Sequence, residues 1–182
     1  MAEYSENMFS IPFFHFHVED WEIKKEKIID IASKANIKKD IEGDYCSHDF
    51  FDNQQSYSHE LMPLIIPESQ RLVNHIGSDI RYSVDRFWFE SSSYGECHTP
   101  HNHGYGGYSA VMFVDYDEKE HEPTHFISPF NNFISGGDLK YIPMGIMSGS
   151  VIFFPSSIHH YTTPNRSHKS RLILSWNMSI SG

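Results

Sequence analysis

The sequence predicts a double-stranded β-helix, or jelly roll, mostly β with flanking helices. Three observations carry that expectation. Helical periodicity is confined to the N-terminal part, short strand-like runs separated by turn residues fill the rest, and histidines gather in two short segments of that later part. At 182 residues, 39% hydrophobic and 15% aromatic, the chain reads as a single domain over 1–182 with ample material for a core. Residues 1–80 are expected to form an opening strand and a helical flank, and residues 81–182 the jelly-roll core.

The elements follow in order. The Phe-rich run 11–18 is the opening strand. Asp20 is placed to cap a helix over 21–35, where Trp21, Ile28, Ile31, Ala32 and Ala35 recur at near-helical spacing and Lys24, Lys25 and Lys27 take the wet side. Residues 36–57 are polar and turn-rich. A second helical zone spans 58–76 and ends at Gly77. Pro63 and Pro67 each remove a backbone donor, so this zone is expected in pieces. Strands are expected over 82–90, 108–115, 124–128, 138–143, 150–154 and 170–180. The acidic run 115–120 reads as an exposed hairpin tip, with further turns at Gly136-Gly137 and Gly145.

Composition excludes several function classes. A formal net charge of −10 argues against a nucleic-acid surface, which needs a basic stripe. The two cysteines, Cys46 and Cys97, do not make a disulfide framework and read as reduced thiols, which suits a cytoplasmic protein. No basic segment followed by an apolar run suggests a leader, and no apolar stretch approaches the roughly 18 residues needed to span a membrane. Oligomeric state leaves no mark on the sequence.

The chemistry lies in His98-Thr99-Pro100-His101-Asn102-His103, together with His159-His160 and Arg171. In a strand, residues i and i+2 share a face, so His101 and His103 aim at one ion while Asn102 points away. A third ligand must come from elsewhere, and His159 or His160 supplies it. Cys97 is a further soft donor nearby. Arg171, opening the last strand, suits an anion because its planar fork binds a carboxylate bidentately. Alternation along that strand puts Arg171, Ile173, Ser175 and Asn177 on one face and Leu172, Leu174, Trp176 and Met178 on the other.

Four motifs in order resemble a known family: His-x-His, a Ser-Ala-Val-Met-Phe strand from Ser109, Phe154-Pro155-Ser156 followed by His160 and Pro164, and Arg171 with Ser175 and Asn177 beyond it. The chain is similar, over about 88–178, to the bacterial and phage group of 2-oxoglutarate- and Fe(II)-dependent oxygenases. That resemblance selects His160 over His159, because the family histidine stands four residues before the proline. It implies Fe(II) held by His101, His103 and His160, with neither His98 nor His159 a ligand. It also implies 2-oxoglutarate as cosubstrate, its distal carboxylate on Arg171. The family's second strand tyrosine falls on Phe113, its Trp-x-Asn on Trp88-Phe89-Glu90, and its Trp after Phe-Pro-Ser on Ser157. Its first serine of the last strand falls on Ile173. Arg171 is therefore expected to have different helpers, Ser109 among them, with Asn177 also facing the site. The metal position usually filled by a carboxylate falls on His103. Glu96 and Asp115 fit that position less well.

The reaction so implied is hydroxylation of a C–H bond of an unidentified small molecule or protein side chain, with formation of succinate and CO2. Two alternatives share the three histidines: a cupin-type iron dioxygenase that needs no cosubstrate, and a non-catalytic metal-binding module.

Overall fold

Two antiparallel sheets carry the architecture in a computed structural model that describes residues 9–39, 46–52, 55–77 and 79–182. In chain order the elements are β1 (Phe14–His17), α1 (Trp21–Lys34), β2 (Lys38–Lys39), β3 (Ser47–His48), α2 (Ser58–Ile76), β4 (Arg81–Ser92), β5 (His98–His101) and β6 (Tyr108–Asp115). Then come β7 (His125–Ile127), β8 (Lys140–Tyr141), β9 (Ser150–Pro155), β10 (His160–Thr162) and β11 (Arg171–Ser181). The large sheet runs β1-β9-β6-β11-β4-β3-β2 and the small one β5-β10-β7-β8.

The large sheet is buried on both faces, which is why β6 and β9 read as unbroken apolar runs. Alternation sorts their side chains. Ala110, Met112, Val114, Val151, Phe153, Leu174, Trp176 and Met178 pack against α1 and α2, and the Trp176 indole donates to Ser69 Oγ of α2 at 3.1 Å. Val111, Phe113, Ile152, Phe154 and Ile173 face the other way and meet Phe126 of the small sheet. The candidate site lies on this inner side.

Three expectations about the helical flank need correction. Asp20 precedes α1 in the left-handed region (φ 53), and its side chain caps nothing; its carbonyl accepts from Ile23 and Lys24 instead. Caps normally sit in the extended region, from which the carboxyl reaches the first-turn N–H groups. Secondly, α2 runs unbroken through Pro63 and Pro67. Both prolines are exposed and stand one turn apart, while Leu61, Leu64, Ile65, Leu72 and Val73 are buried on the opposite stripe. The carbonyls deprived of partners therefore face water, and the packed stripe outweighs their loss.

Thirdly, the described part of 36–57 is not merely turns. It supplies β2 and β3 to the sheet, and a buried Asp49 accepts from the Phe89 N–H at 2.8 Å and from the Tyr57 hydroxyl. The rest of that stretch, 40–45 and 53–54, lies outside the described residues, as do 1–8. Further along, the acidic run is tied down rather than free, since Lys169 pairs with Asp117 and Glu120 and Tyr116 is buried.

Candidate metal centre

Short strands with little apolar signature build the site. β5 pairs with β10, and His101 stands directly opposite His160 in that ladder. Direct cross-strand neighbours lie within side-chain reach, so two histidines far apart in sequence become adjacent. His103 arrives differently from the alternation argument, because β5 stops at His101 and His103 lies in the following loop. Its N–H donates to the Ser156 carbonyl at 2.9 Å, and Asn102 Oδ1 accepts from Gly104 N–H at 3.2 Å.

The loop closes at Gly107, with φ +77, where an added Cβ would lie 1.9 Å from the Met178 carbonyl oxygen. Only glycine fits there. Gly107→Ala should push the His103 loop off β11, costing on the order of 1–3 kcal/mol and loosening metal binding. Chemical denaturation with a parallel metal titration checks this, and native-like values for both would refute the role given to this glycine.

The three imidazoles converge. Donor atoms of His101, His103 and His160 all lie within 4.8 Å of one another. His103 Nε2 is 3.2 Å from His160 Nε2. Nitrogens bound to one ion at about 2.1 Å lie about 3–3.4 Å apart, so the pair already has coordination spacing. His101 Nδ1 sits 2.8 Å from the Thr99 carbonyl and His160 Nδ1 3.0 Å from the Ile158 carbonyl. A ring N–H donated from Nδ1 leaves Nε2 with a lone pair facing the cluster, the tautomer that a metal requires. Trp88 packs on His103 and Phe154 on His160, with ring centroids 5.2 and 4.7 Å apart.

Burial, reinforced by the charges of His101 and His98 and opposed by Glu90, pulls His103 down to about 4. Burial also holds His160 well below the usual histidine value. Both are therefore neutral at physiological pH and ready to ligate without losing a proton. The unfolded chain takes up a proton near 6.5 and folded His103 only near 4, so between these values the unfolded state binds more protons and acid favours unfolding. Stability should be intact above about pH 6.5 and fall towards pH 4, by on the order of 3 kcal/mol from His103 alone. Melting of the metal-free protein at pH 7.5 and 5.0 tests this; equal transitions would count against neutral buried imidazoles.

Arg171 opens β11 and is buried, but it is not waiting free for an anion. Its Nη1 donates to the Glu122 carbonyl at 3.1 Å and its Nη2 lies 3.5 Å from Glu90 Oε1. Its Nε has no hydrogen-bond partner. The other Glu90 oxygen lies 2.8 Å from His98 Nδ1, and the His98 ring stacks on His101 at 4.0 Å. Burial alone would raise the Glu90 carboxyl, but the His98 hydrogen bond and the charges of His98, Arg171 and His101 hold it at about 2.

Ser109 and Asn177 form a pair of their own. Ser109 Oγ donates to Asn177 Oδ1 at 2.9 Å and lies 2.9 Å from Ser156 Oγ. Ser109 lines the small cavity beside the histidines, and Asn177, two residues beyond the lining Ser175 on β11, meets it through Ser109 without lining it. Asn177 stands opposite Ser109 in the β6–β11 ladder, and about 20 Å of strand separates that rung from Arg171. Neither residue therefore assists the guanidinium directly. The cavity itself, about 20 Å³, has room for about one water.

His159 is exposed and makes its contact with Asn102, outside the cluster. Cys97 is not among the converging donors; the thiol with donor neighbours is Cys46, within 4.8 Å of Glu90 and His98. Glu90 and His98 are the residues that sequence reasoning missed. A signal existed in β4, where strand period puts Trp88, Glu90 and Ser92 on one face, and a lone carboxylate on an inward face needs a cation.

Comparisons with known proteins agree with this architecture. No curated protein sequence matches the chain. The model of a family described as "Putative 2OG-Fe(II) oxygenase" matches residues 86–177, about half of the chain. Among solved structures, HygX from Streptomyces hygroscopicus, with nickel and 2-oxoglutarate bound, has a TM-score of 0.66 at 10% identity, covering 92% of this chain and 82% of that one. The viral collagen prolyl hydroxylase from Paramecium Bursaria Chlorella virus-1, in complex with 2OG, scores 0.59 at 13% identity over 91% and 94%. A Pseudomonas putida prolyl-4-hydroxylase scores 0.58 at 13% identity over 92% of each chain. At these identities the likeness is one of fold, and it includes the jelly roll.

Proposed function

The chain belongs to the 2OG-Fe(II) oxygenase family, and on that premise we propose that it is a hydroxylase acting on a C–H bond of a small molecule or protein side chain. The convergence of three imidazole nitrogens at coordination spacing carries the reading. The residues present fit both groups that the family uses. His101, His103 and His160 would hold Fe(II). The buried Arg171 Nε without an acceptor suits the distal carboxylate of 2-oxoglutarate.

When bound, iron and cosubstrate supply the oxidising power, with 2-oxoglutarate giving succinate and CO2 as dioxygen is reduced. The chain's own share is positional. Thr99 and Ile158 carbonyls lock two imidazoles in the binding tautomer. Trp88, Val111, Phe154 and Ile173 wall the cavity with apolar surface, which excludes water from the reacting centre. Ser109, fixed by Asn177 and Ser156, offers a hydroxyl on that wall. Hydroxylation needs no general base, and none is assigned. The prolyl hydroxylases among the similar folds support this type of reaction. Among the described residues no helix is long and apolar enough to cross a membrane. The free thiols of Cys46 and Cys97 suit a reducing, cytoplasmic setting.

The test is anaerobic addition of 2-oxoglutarate to the Fe(II)-loaded protein, followed by exposure to air. A weak visible charge-transfer band and then succinate are expected. Iron binding with neither signal would refute the reading, and oxygen uptake independent of 2-oxoglutarate would point to the cosubstrate-free alternative.

A further inference from the structure

We propose that Glu90 is an internal occupant of the cosubstrate anchor: its carboxylate holds Arg171 until that of 2-oxoglutarate displaces it, and so sets the affinity for the cosubstrate. This rests on the reading that Arg171 receives 2-oxoglutarate.

The register of β4 against β11 places Ser92 opposite Arg171 and Glu90 opposite Ile173, so the carboxylate and the guanidinium meet diagonally on the inner face. Both are nearly fully buried, at 3% and 4% exposure. Glu90 lines the cavity beside the histidines and Arg171 does not. The carboxylate thus stands between the three imidazoles and the cation. A five-carbon dicarboxylate reaching from the metal to Arg171 must take over the Nη2 contact that Glu90 Oε1 makes, and the present cavity of about 20 Å³ must widen to admit it.

The pair is also poorly made. One Nη2 contact of 3.5 Å is long against the roughly 2.7–2.9 Å of a charge-assisted bond, and the Nε edge of the fork has no acceptor. A buried ion pair kept only for structure would satisfy both edges. A carboxylate that took both Nε and Nη2 would satisfy the donor that Glu90 leaves unpaired. Displacement does not strand Glu90 either, because His98 Nδ1 retains its second oxygen at 2.8 Å.

The full-length protein saturated with Mn(II), titrated anaerobically with 2-oxoglutarate by calorimetry, tests the proposal by binding alone. Glu90→Gln keeps the shape and removes the charge, so its Kd should fall at least tenfold with metal content retained, while the melting transition drops because Arg171 loses its buried partner. An unchanged or raised Kd in that variant, when the native protein binds, overturns the proposal and leaves the oxygenase reading in place. Should Glu90→Gln fail to fold, Glu90→Asp draws the carboxylate back by one methylene and must also tighten binding. A native-like Kd there overturns the proposal equally. Absence of 2-oxoglutarate binding in the native protein and both variants, with metal bound, refutes the anchor reading and this inference together.

Discussion

His160→Ala should abolish tight Fe(II) binding, while His159→Ala leaves it within a few-fold of native. The two are sequence neighbours with opposite orientations. His160 is buried among His101, His103 and Phe154, and His159 is exposed beside Asn102. Loss of a partner that merely orients a ligand costs about 10–100-fold in metal affinity, and loss of a ligand should cost at least that. His101→Ala and His103→Ala should behave like His160→Ala. His103→Asp should keep the metal, since a carboxylate there restores the donor set of two histidines and one acid. Fe(II) titration against a chromophoric chelator reads all five variants. The opposite ranking of His159 and His160, or native affinity in His103→Ala, would overturn the assigned ligand set.

Arg171→Ala should both unfold more easily and lose the cosubstrate. The guanidinium is the cation beside a buried Glu90, and removing one partner of a buried pair leaves an uncompensated charge, costing about 3–5 kcal/mol. The hydrogen bond to the Glu122 carbonyl goes with it. Pairing Arg171→Ala with Glu90→Gln removes that charge, so the double variant should regain much of the stability and none of the 2-oxoglutarate affinity. Arg171→Lys should rescue only in part, because an ammonium cannot reproduce the fork. Denaturant unfolding and calorimetry on the same samples separate the two effects. A double variant that binds 2-oxoglutarate like the native protein would move the anchor elsewhere.

The sequence by itself determined the features that depend on which side of an element a residue faces. The runs at 108–115 and 150–154 announced strands, and Trp21, Ile28, Ile31 and Ala32 announced the buried stripe of α1. Motif spacing singled out His160, which the fold brings to His101 and His103. What only the tertiary structure decided was which residue meets which. β5 and β10 carry almost no apolar pattern, and they are strands because each supplies the other's backbone partners. His103 reaches the cluster through a loop whose path is set by Ser156 and by the close approach of Gly107 to β11. Pro63 and Pro67 break no helix because the stripe opposite them is packed. The meeting of Glu90 with Arg171 requires the register of two strands that lie far apart in sequence. Periodicity is a local property and reports orientation; register, loop path and charge partners are long-range, and the chain acquires them only when its sheets close on each other.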